Sequence, residues 1–290
     1  MQEERTRRQF LKAAGAGAAA ALASAGRGYG ADKLSADNRA EGGKNPQPRA
    51  FQLGLASYTL RKFSLEKTLA ITQRLGLRYI CLKSVHLPLD SSDEQIDETA
   101  SKVKQAQLHL YGAGVIYMKN EGEVNRAFDY AKRGGMTTII GVPNPELLTL
   151  VDKKVREYDI KVAIHNHGPG DKLYPTPGVA YGKIQQLDNR IGLCIDIGHT
   201  QRAGVDPSEA AEKFGDRLLD VHIKDVSAAA AEGHTVEIGR GVIDVPKFIT
   251  TLLKIKFSGI VSFEHEKDAE DPVAGLAESV GYVRGVLAAV

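Results

Sequence analysis

The stretch KVAIHNHGPG, residues 161–170, shows the unit from which this chain of 290 residues is built. A short apolar run leads into His165 and His167 and then into a turn that contains two glycines. Apolar runs with β-branched residues are typical of buried strands, and glycine allows the backbone to turn sharply. We therefore predict a strand at 161–165 that ends in a polar loop.

The same unit recurs from Phe51 to the C-terminus. The predicted strands are residues 52–57, 78–83, 108–114, 137–142, 161–165, 191–196, 218–223 and 259–264. Amphipathic segments of helical length lie between them, at 64–76, 91–106, 121–135, 144–158, 206–215, 245–256 and 274–290, with a weaker one at 181–187. This alternation predicts an α/β fold, a single (β/α)8 TIM barrel. An open doubly wound sheet fits less well, because the turn at 57–60 lacks the glycines of a phosphate-binding loop.

The composition excludes some classes of protein. A formal net charge of +2 does not favour a nucleic-acid partner that is held by phosphate neutralisation. Cys81 and Cys194 are the only two cysteines, and both lie inside apolar runs. They predict small buried side chains rather than a disulfide framework or a thiolate zinc cluster.

The first 50 residues differ from the rest of the chain. Arg7 and Arg8 lie in TRRQFLK, and a weakly apolar segment rich in alanine and glycine follows. This pattern predicts a twin-arginine signal peptide at 1–25, with an alanine-rich helix as the alternative. A polar linker at 26–50 and a catalytic barrel at 51–290 would follow. We expect export of the folded protein to the periplasm or cell envelope, without stable membrane insertion after cleavage.

Four predicted strands in a row end in a potential metal ligand. In a (β/α)8 barrel the chemistry lies at the C-terminal ends of the strands, and alternate side chains point inward. His165, Asp196, His222 and Glu264 all have inward parity, whereas intervening residues such as Leu219 should face the helices. Imidazole and carboxylate donors without a thiolate predict a divalent metal site. Mn²⁺ is favoured, with Co²⁺, Zn²⁺, Fe²⁺ and Mg²⁺ as alternatives.

Other polar side chains are predicted at the same rim. Lys83, His167 and His199 are candidate acid/base residues, and His199 is also a candidate for contact with the substrate. Three more side chains are predicted to bind substrate: Lys224, Arg240 and His86. Simpler interpretations remain for two of these residues. His167 could be a turn residue bonded to backbone, and Lys224 could be a surface side chain paired with Asp225.

From Phe51 onward the chain resembles the xylose isomerase-like TIM barrels, a family of sugar phosphate isomerases and epimerases. The resemblance is carried by CIDIGH (194–199), DVHIKD (220–225), EIGRGVID (237–244) and SFE (262–264). It implies that Asp196, His222 and Glu264 are metal ligands. It also implies that His199 contacts the substrate.

Two positions depart from the family pattern. The ligand on strand five is usually glutamate and here is His165, and strand two usually ends in glutamate but here ends in Lys83. Epimerases of the family use two metal-bound carboxylates on opposite faces of the sugar. A neutral imidazole leaves the metal more electropositive. The resulting unsymmetric set suits elimination or hydration as well as epimerisation.

The sequence therefore predicts a divalent-metal-dependent sugar isomerase or epimerase that acts on a small keto-sugar. Glu264 or a nearby histidine would move a proton next to a metal-polarised carbonyl. A metal-dependent lyase or hydratase acting on an oxidised sugar, such as a 3-keto-glycoside, is the alternative. A non-catalytic sugar-binding barrel is a further one. A DNA-repair phosphodiesterase would need a larger zinc cluster. The absence of a glycine-rich phosphate clamp favours an unphosphorylated sugar, and a homo-oligomer is left open.

Overall fold

A computed structural model describes residues 51–290. The barrel strands are β1 Gln52–Ala56, β2 Tyr79–Leu82, β3 His109–Met118, β4 Thr138–Pro143, β5 Lys161–His165, β6 Ile191–Asp196, β7 Leu218–Ile223 and β10 Ile260–Phe263. They close in the order β1-β10-β7-β6-β5-β4-β3-β2, and the neighbouring strands are parallel. The predicted (β/α)8 barrel is confirmed. The predicted signal peptide and linker lie outside the described residues.

Helices cover the outside of the barrel. They are α1 Leu65–Arg74, α2 Asp93–Gln105, α3 Glu121–Arg133, α4 Leu148–Tyr158, α5 Pro177–Ile184, α6 Ile197–Arg202, α7 Pro207–Lys213, α8 Val245–Lys254 and α9 Val273–Ala289. Two short strands, β8 Asp225–Val226 and β9 Thr235–Val236, form a separate antiparallel pair. Within residues 51–290, no helix has the length and apolar character needed to cross a membrane.

Local sequence explains where the helices begin and which face they bury. The Ser64 hydroxyl accepts a hydrogen bond from the backbone N–H of Lys67 at 3.3 Å and so caps α1. Helix α3 buries Val124, Phe128 and Ala131, whose spacing places them on one helical face. Burial of a side chain as large as Phe128 contributes roughly 1.5–3 kcal/mol to stability.

The interior of the barrel contains a second, smaller apolar cluster. Its buried members are Cys81, Tyr111, Ile140, Ala163 and Cys194. Both cysteines are unpaired and buried, as the sequence predicts. Ala163 and Cys194 point into the barrel. Because side chains alternate along a strand, the residues two positions later, which end β5 and β6, also point inward.

A bulge at the base of β7 changes the orientation of one residue. Leu193 pairs with Leu218, but Cys194 pairs with Asp220, so Leu219 is the extra residue. Leu219 therefore packs against the inner cluster rather than facing the helices, which corrects the prediction from alternation. Beyond the bulge the alternation resumes.

Candidate metal centre and active site

Four buried side chains converge at the C-terminal end of the barrel. His165 ends β5, Asp196 ends β6, His222 lies one residue before the end of β7, and Glu264 directly follows β10. One donor atom from each of the four lies within 4.8 Å of the others. The strands are aligned for this, since Asp196 is the register partner of His222. The structure thus brings together all four predicted metal ligands.

The spacing of these donor atoms fits a single cation. Nε2 of His165 lies 3.1 Å from Nδ1 of His222 and 3.4 Å from Oδ2 of Asp196, and Nδ1 of His222 lies 3.1 Å from Oε2 of Glu264. Donors at 2.0–2.1 Å from a tetrahedral zinc ion would be about 3.3 Å apart. In addition, Oδ2 of Asp196 is buried and faces both Nε2 of His165 and the ammonium of Lys224. The residues present therefore fit a divalent metal.

An ammonium group lies against the same two carboxylates. Nζ of Lys224 is 2.9 Å from Oδ2 of Asp196 and 2.7 Å from Oε2 of Glu264, and it also contacts Glu266. Burial alone would lower the pKa of Lys224. The negative charges of the carboxylates have the larger effect, and together they raise this pKa well above its usual value. Lys224 is thus a fixed cation of the site and not a surface partner of Asp225, which instead accepts backbone hydrogen bonds.

The protonation of the four ligands follows from their surroundings. Burial lowers the pKa of His165 to about 3, so its imidazole is neutral at pH 7. Burial alone would also lower the pKa of His222, but the negative charge of Glu264 has the larger effect and raises this pKa. Burial would raise the pKa of Asp196 and of Glu264, but the Lys224 ammonium holds both below their usual range. Both carboxylates are therefore anionic at neutral pH.

We expect the affinity for a divalent cation to fall with decreasing pH, by about tenfold per pH unit once His222 is protonated. The cation must displace the proton of His222. Because that pKa is raised above 6.5, the decline should begin above pH 6.5. Protonation of His165 adds to the loss of metal affinity only near pH 3. Competition with a chromophoric chelator between pH 5.5 and about 8.5 measures this. His109→Gln, at the other end of the barrel, is the control, and a flat profile would contradict the assignment of His222.

We also expect Lys224→Met to increase the affinity for a divalent cation by at least about tenfold at low ionic strength. The substitution removes a positive charge from two of the four ligands while it keeps much of the buried side-chain volume. Chelator competition at low and high salt measures the change. Equal or weaker affinity in the variant would show that Lys224 does not compete with the cation.

A cavity of about 270 Å³ opens above these ligands. Three predicted acid/base residues line it, namely Lys83, His167 and His199. Lys83 follows β2 and His199 lies in α6, directly after β6; these strands are opposite one another in the closed order. The two side chains therefore approach the cavity from opposite sides.

Lys83 lies in a partly apolar wall of this cavity. Its Nζ donates a hydrogen bond to the carbonyl of Val115 at 3.0 Å and lies 5.7 Å from the centre of the Tyr58 ring. Burial lowers the pKa of Lys83, although the charge of Glu264 opposes this. A lysine with a lowered pKa can exchange a proton more readily near neutral pH.

The two histidines on the other side have different partners. Nε2 of His167 lies 3.2 Å from the Tyr117 hydroxyl, and its Nδ1 lies 3.5 Å from Oδ2 of Asp171. Burial lowers the pKa of His167, so its ring is neutral at neutral pH. Nε2 of His199 lies 4.0 Å from Oδ2 of Asp196, whose other oxygen accepts the backbone N–H of His199 at 2.8 Å.

Two residues predicted to bind substrate lie elsewhere. His86 is buried, with Nδ1 2.9 Å from the Ser57 hydroxyl and Nε2 3.1 Å from the Thr68 hydroxyl, and it does not line the cavity. The turn after β1 and helix α1 enclose it. Arg240 is largely exposed and forms a two-bond ion pair with Glu278 of α9, at 2.5 and 2.7 Å. The structure thus places both residues outside the wall of this cavity, and their contact with a substrate stays a prediction.

Two tyrosines that the sequence reasoning missed also line the cavity. Tyr58 lies in the 3₁₀ turn Ser57–Leu60 after β1. Tyr117 lies near the end of β3, which extends to Met118 rather than ending at residue 114. The apolar run that continues beyond Gly114 was the signal for the longer strand.

Comparison with known proteins supports the family resemblance. The profile of the xylose isomerase-like TIM barrel family matches residues 146–286, which include all four candidate ligands. The rhizopine catabolism protein MocC of Rhizobium meliloti is 26% identical over 136 residues, 42% of this chain and 41% of MocC. An inosose dehydratase of Lacticaseibacillus casei is 22% identical over 215 residues, 67% of this chain and 72% of that protein. The match with MocC thus spans less than half of its length.

Solved structures share the fold at low identity. A structure of L-ribulose 3-epimerase has a TM-score of 0.68 and 16% identity, and covers 82% of this chain and 95% of that one. IOLI protein with a bound zinc atom has a TM-score of 0.66 and 18% identity, with coverage of 82% and 96%. The probable 3-DHS dehydratase AsbF from Bacillus anthracis has a TM-score of 0.64 and 13% identity, with coverage of 81% and 99%. At these identities the likeness establishes the fold.

Proposed function

We propose that the chain is a member of the xylose isomerase-like TIM barrel family and a divalent-metal-dependent sugar isomerase or epimerase that acts on a keto-sugar. The observation that carries the proposal is the group of four donor atoms within 4.8 Å of one another below a cavity with acid/base side chains. When bound, a divalent cation, with Mn²⁺ the first to test, would polarise the carbonyl and acidify the adjacent C–H bond.

The side chains around the cavity supply the proton transfers. A sugar in the cavity would have Lys83 on one side and His199 on the other. Neutral Lys83, favoured by its lowered pKa, can accept the proton of the acidified C–H bond. His199, or the neutral ring of His167, can exchange a proton on the opposite side. Return of the proton to the other face gives epimerisation, and return to the neighbouring carbon gives isomerisation.

The buried ion pairs keep this arrangement in place. Lys224 keeps the carboxylates of Asp196 and Glu264 anionic, and its ammonium would compete with a bound cation for the same two oxygens. The stacked rings of Tyr117 and His167, with centres 5.7 Å apart, form part of one wall of the cavity. A substrate would thus meet charges and donors that are already oriented.

A second candidate function is a lyase or dehydratase that acts on an oxidised sugar such as a 3-keto-glycoside. The observation that favours it is the unsymmetric site, with a lysine opposite two imidazoles and His165 among the ligands. Such a site can remove a proton at one carbon and protonate a leaving hydroxyl at the next. The inosose dehydratase among the relatives is consistent with this chemistry.

The test is turnover in D₂O with a panel of ketoses and keto-glycosides, using Mn²⁺-loaded protein and the metal-free protein as control. Deuterium at the carbon next to the carbonyl, with no new double bond, would support the isomerase or epimerase. Enone absorbance would support the lyase. Tight sugar binding without either signal would indicate a non-catalytic sugar-binding barrel, and both enzymatic proposals would then fail.

A further inference from the structure

A second cavity adjoins the proposed active site. Its volume is about 420 Å³, and it shares His199 and Glu266 with the 270 Å³ cavity. Lys224, the fixed cation beside the candidate ligands, also forms part of its wall. Because His199 and Glu266 line both cavities, the second cavity lies directly beside the proposed active site.

The charged side chains of this second cavity are mostly cationic. Arg202, Lys224 and Lys267 line it together with a single carboxylate, that of Glu266. Lys224 is neutralised by the site carboxylates, and Lys267 pairs with Glu237 at 2.7 Å. Arg202 forms no ion pair within 4.0 Å among residues 51–290. Its charge is therefore available for a ligand.

The contacts of Arg202 hold its guanidinium in position without neutralising it. One terminal nitrogen donates to the carbonyl of Ala231 at 2.5 Å, and the other lies 3.4 Å from Nδ1 of His199. Its Nε–H has no partner within the described part of the chain. A guanidinium has five N–H donors in a fixed plane, so these two contacts leave several of them unused.

Arg202 lies close to the proposed reaction site. The ring of His199 separates it from the metal centre, with Nδ1 facing Arg202 and Nε2 4.0 Å from Oδ2 of Asp196. A substrate group bound by Arg202 would thus be one imidazole ring away from the ligands.

We propose that the second cavity, formed around Arg202, Lys224 and Lys267, binds an anionic group of the sugar substrate, either a carboxylate or a phosphate. Both match the planar donors of a guanidinium. The inference rests on the proposed function, because the sugar end must lie over the metal centre. It adds a charged group to the predicted keto-sugar, and only a phosphate in this cavity would replace the unphosphorylated sugar that the sequence favours.

The test compares three ketoses that differ only at the terminal carbon: fructose, fructuronate and fructose 6-phosphate. Isothermal titration at low salt with metal-loaded protein should show at least about tenfold tighter binding of one or both anionic ketoses. The preferred anion identifies carboxylate or phosphate. Equal affinity for all three, including no measurable binding of any, would overturn the proposal.

Arg202 variants show whether the preference arises in this cavity. Arg202→Gln should abolish the preference by weakening the binding of the anionic ketoses, and Arg202→Lys should retain part of it. The matched control is Arg78→Gln, at the N-terminal end of the barrel, which should behave as the wild type. A preference that survives in Arg202→Gln would overturn the assignment.

The two proposals can fail separately. An Arg202-dependent anion preference in a protein that exchanges no deuterium into any keto-sugar would support the second cavity and contradict the isomerase. Deuterium exchange into neutral keto-sugars without an anion preference would support the isomerase or epimerase and contradict the proposed second cavity.

Discussion

Asp196→Asn is expected to weaken the affinity for a divalent cation by at least about 100-fold and to reduce turnover at least as much. The amide has the shape of the carboxylate but no charge, and Oδ2 of Asp196 faces the other three ligands. The variant should fold, because the remaining amide oxygen can still accept the backbone N–H of His199 and cap α6. Chelator competition and elemental analysis of the purified protein measure the loss.

Asp206→Asn is the matched control, since it makes the same substitution at the N-cap of the next helix. Asp206 accepts the backbone N–H groups of Ser208 and Glu209 at 2.7 and 3.2 Å and caps α7. It should leave metal affinity unchanged. If Asp196→Asn and Asp206→Asn bind metal equally well, the proposed centre is not the metal site, and the sugar chemistry proposed for it loses its basis.

Lys83→Met is expected to reduce kcat by about 10²- to 10⁴-fold, with little effect on metal affinity. Lys83 contacts none of the four ligands in the structure but lines the cavity above them. As a base it must be neutral, so activity should rise with pH through its lowered pKa, and this limb of the pH–rate profile should be absent from the variant. Deuterium exchange into substrate provides the rate.

Lys161→Met serves as the control for this prediction. Lys161 is an exposed lysine at the start of β5, at the end of the barrel away from the site. It should keep the wild-type rate and pH profile. Wild-type turnover in Lys83→Met would exclude Lys83 as an acid/base residue and leave proton transfer to the histidines and Glu264.

Much of the fold could be predicted because the barrel repeats one simple pattern. The apolar runs mark the strands, and alternation correctly orients Ala163 and Cys194 into the barrel. Since parallel strands end at the same rim, the side chains of His165 and Asp196 had to lie close together. The grouping of the candidate ligands therefore follows from spacing alone.

Features that depend on tertiary contacts could not be predicted in the same way. The bulge at Leu219 adds a residue without altering the apolar pattern. Lys224 contacts the carboxylates of Asp196 and Glu264, and Glu264 is 40 residues away along the chain. His86 follows its strand like a rim residue, but the packing of Ser57 and α1 encloses it.

The carboxylate of Asp196 joins two parts of the molecule. One oxygen holds the first turn of α6, and the other faces the candidate metal centre. The same short helix carries both His199 and Arg202. A cation at the candidate centre and the orientation of His199 and Arg202 would therefore depend on the two oxygens of one carboxylate.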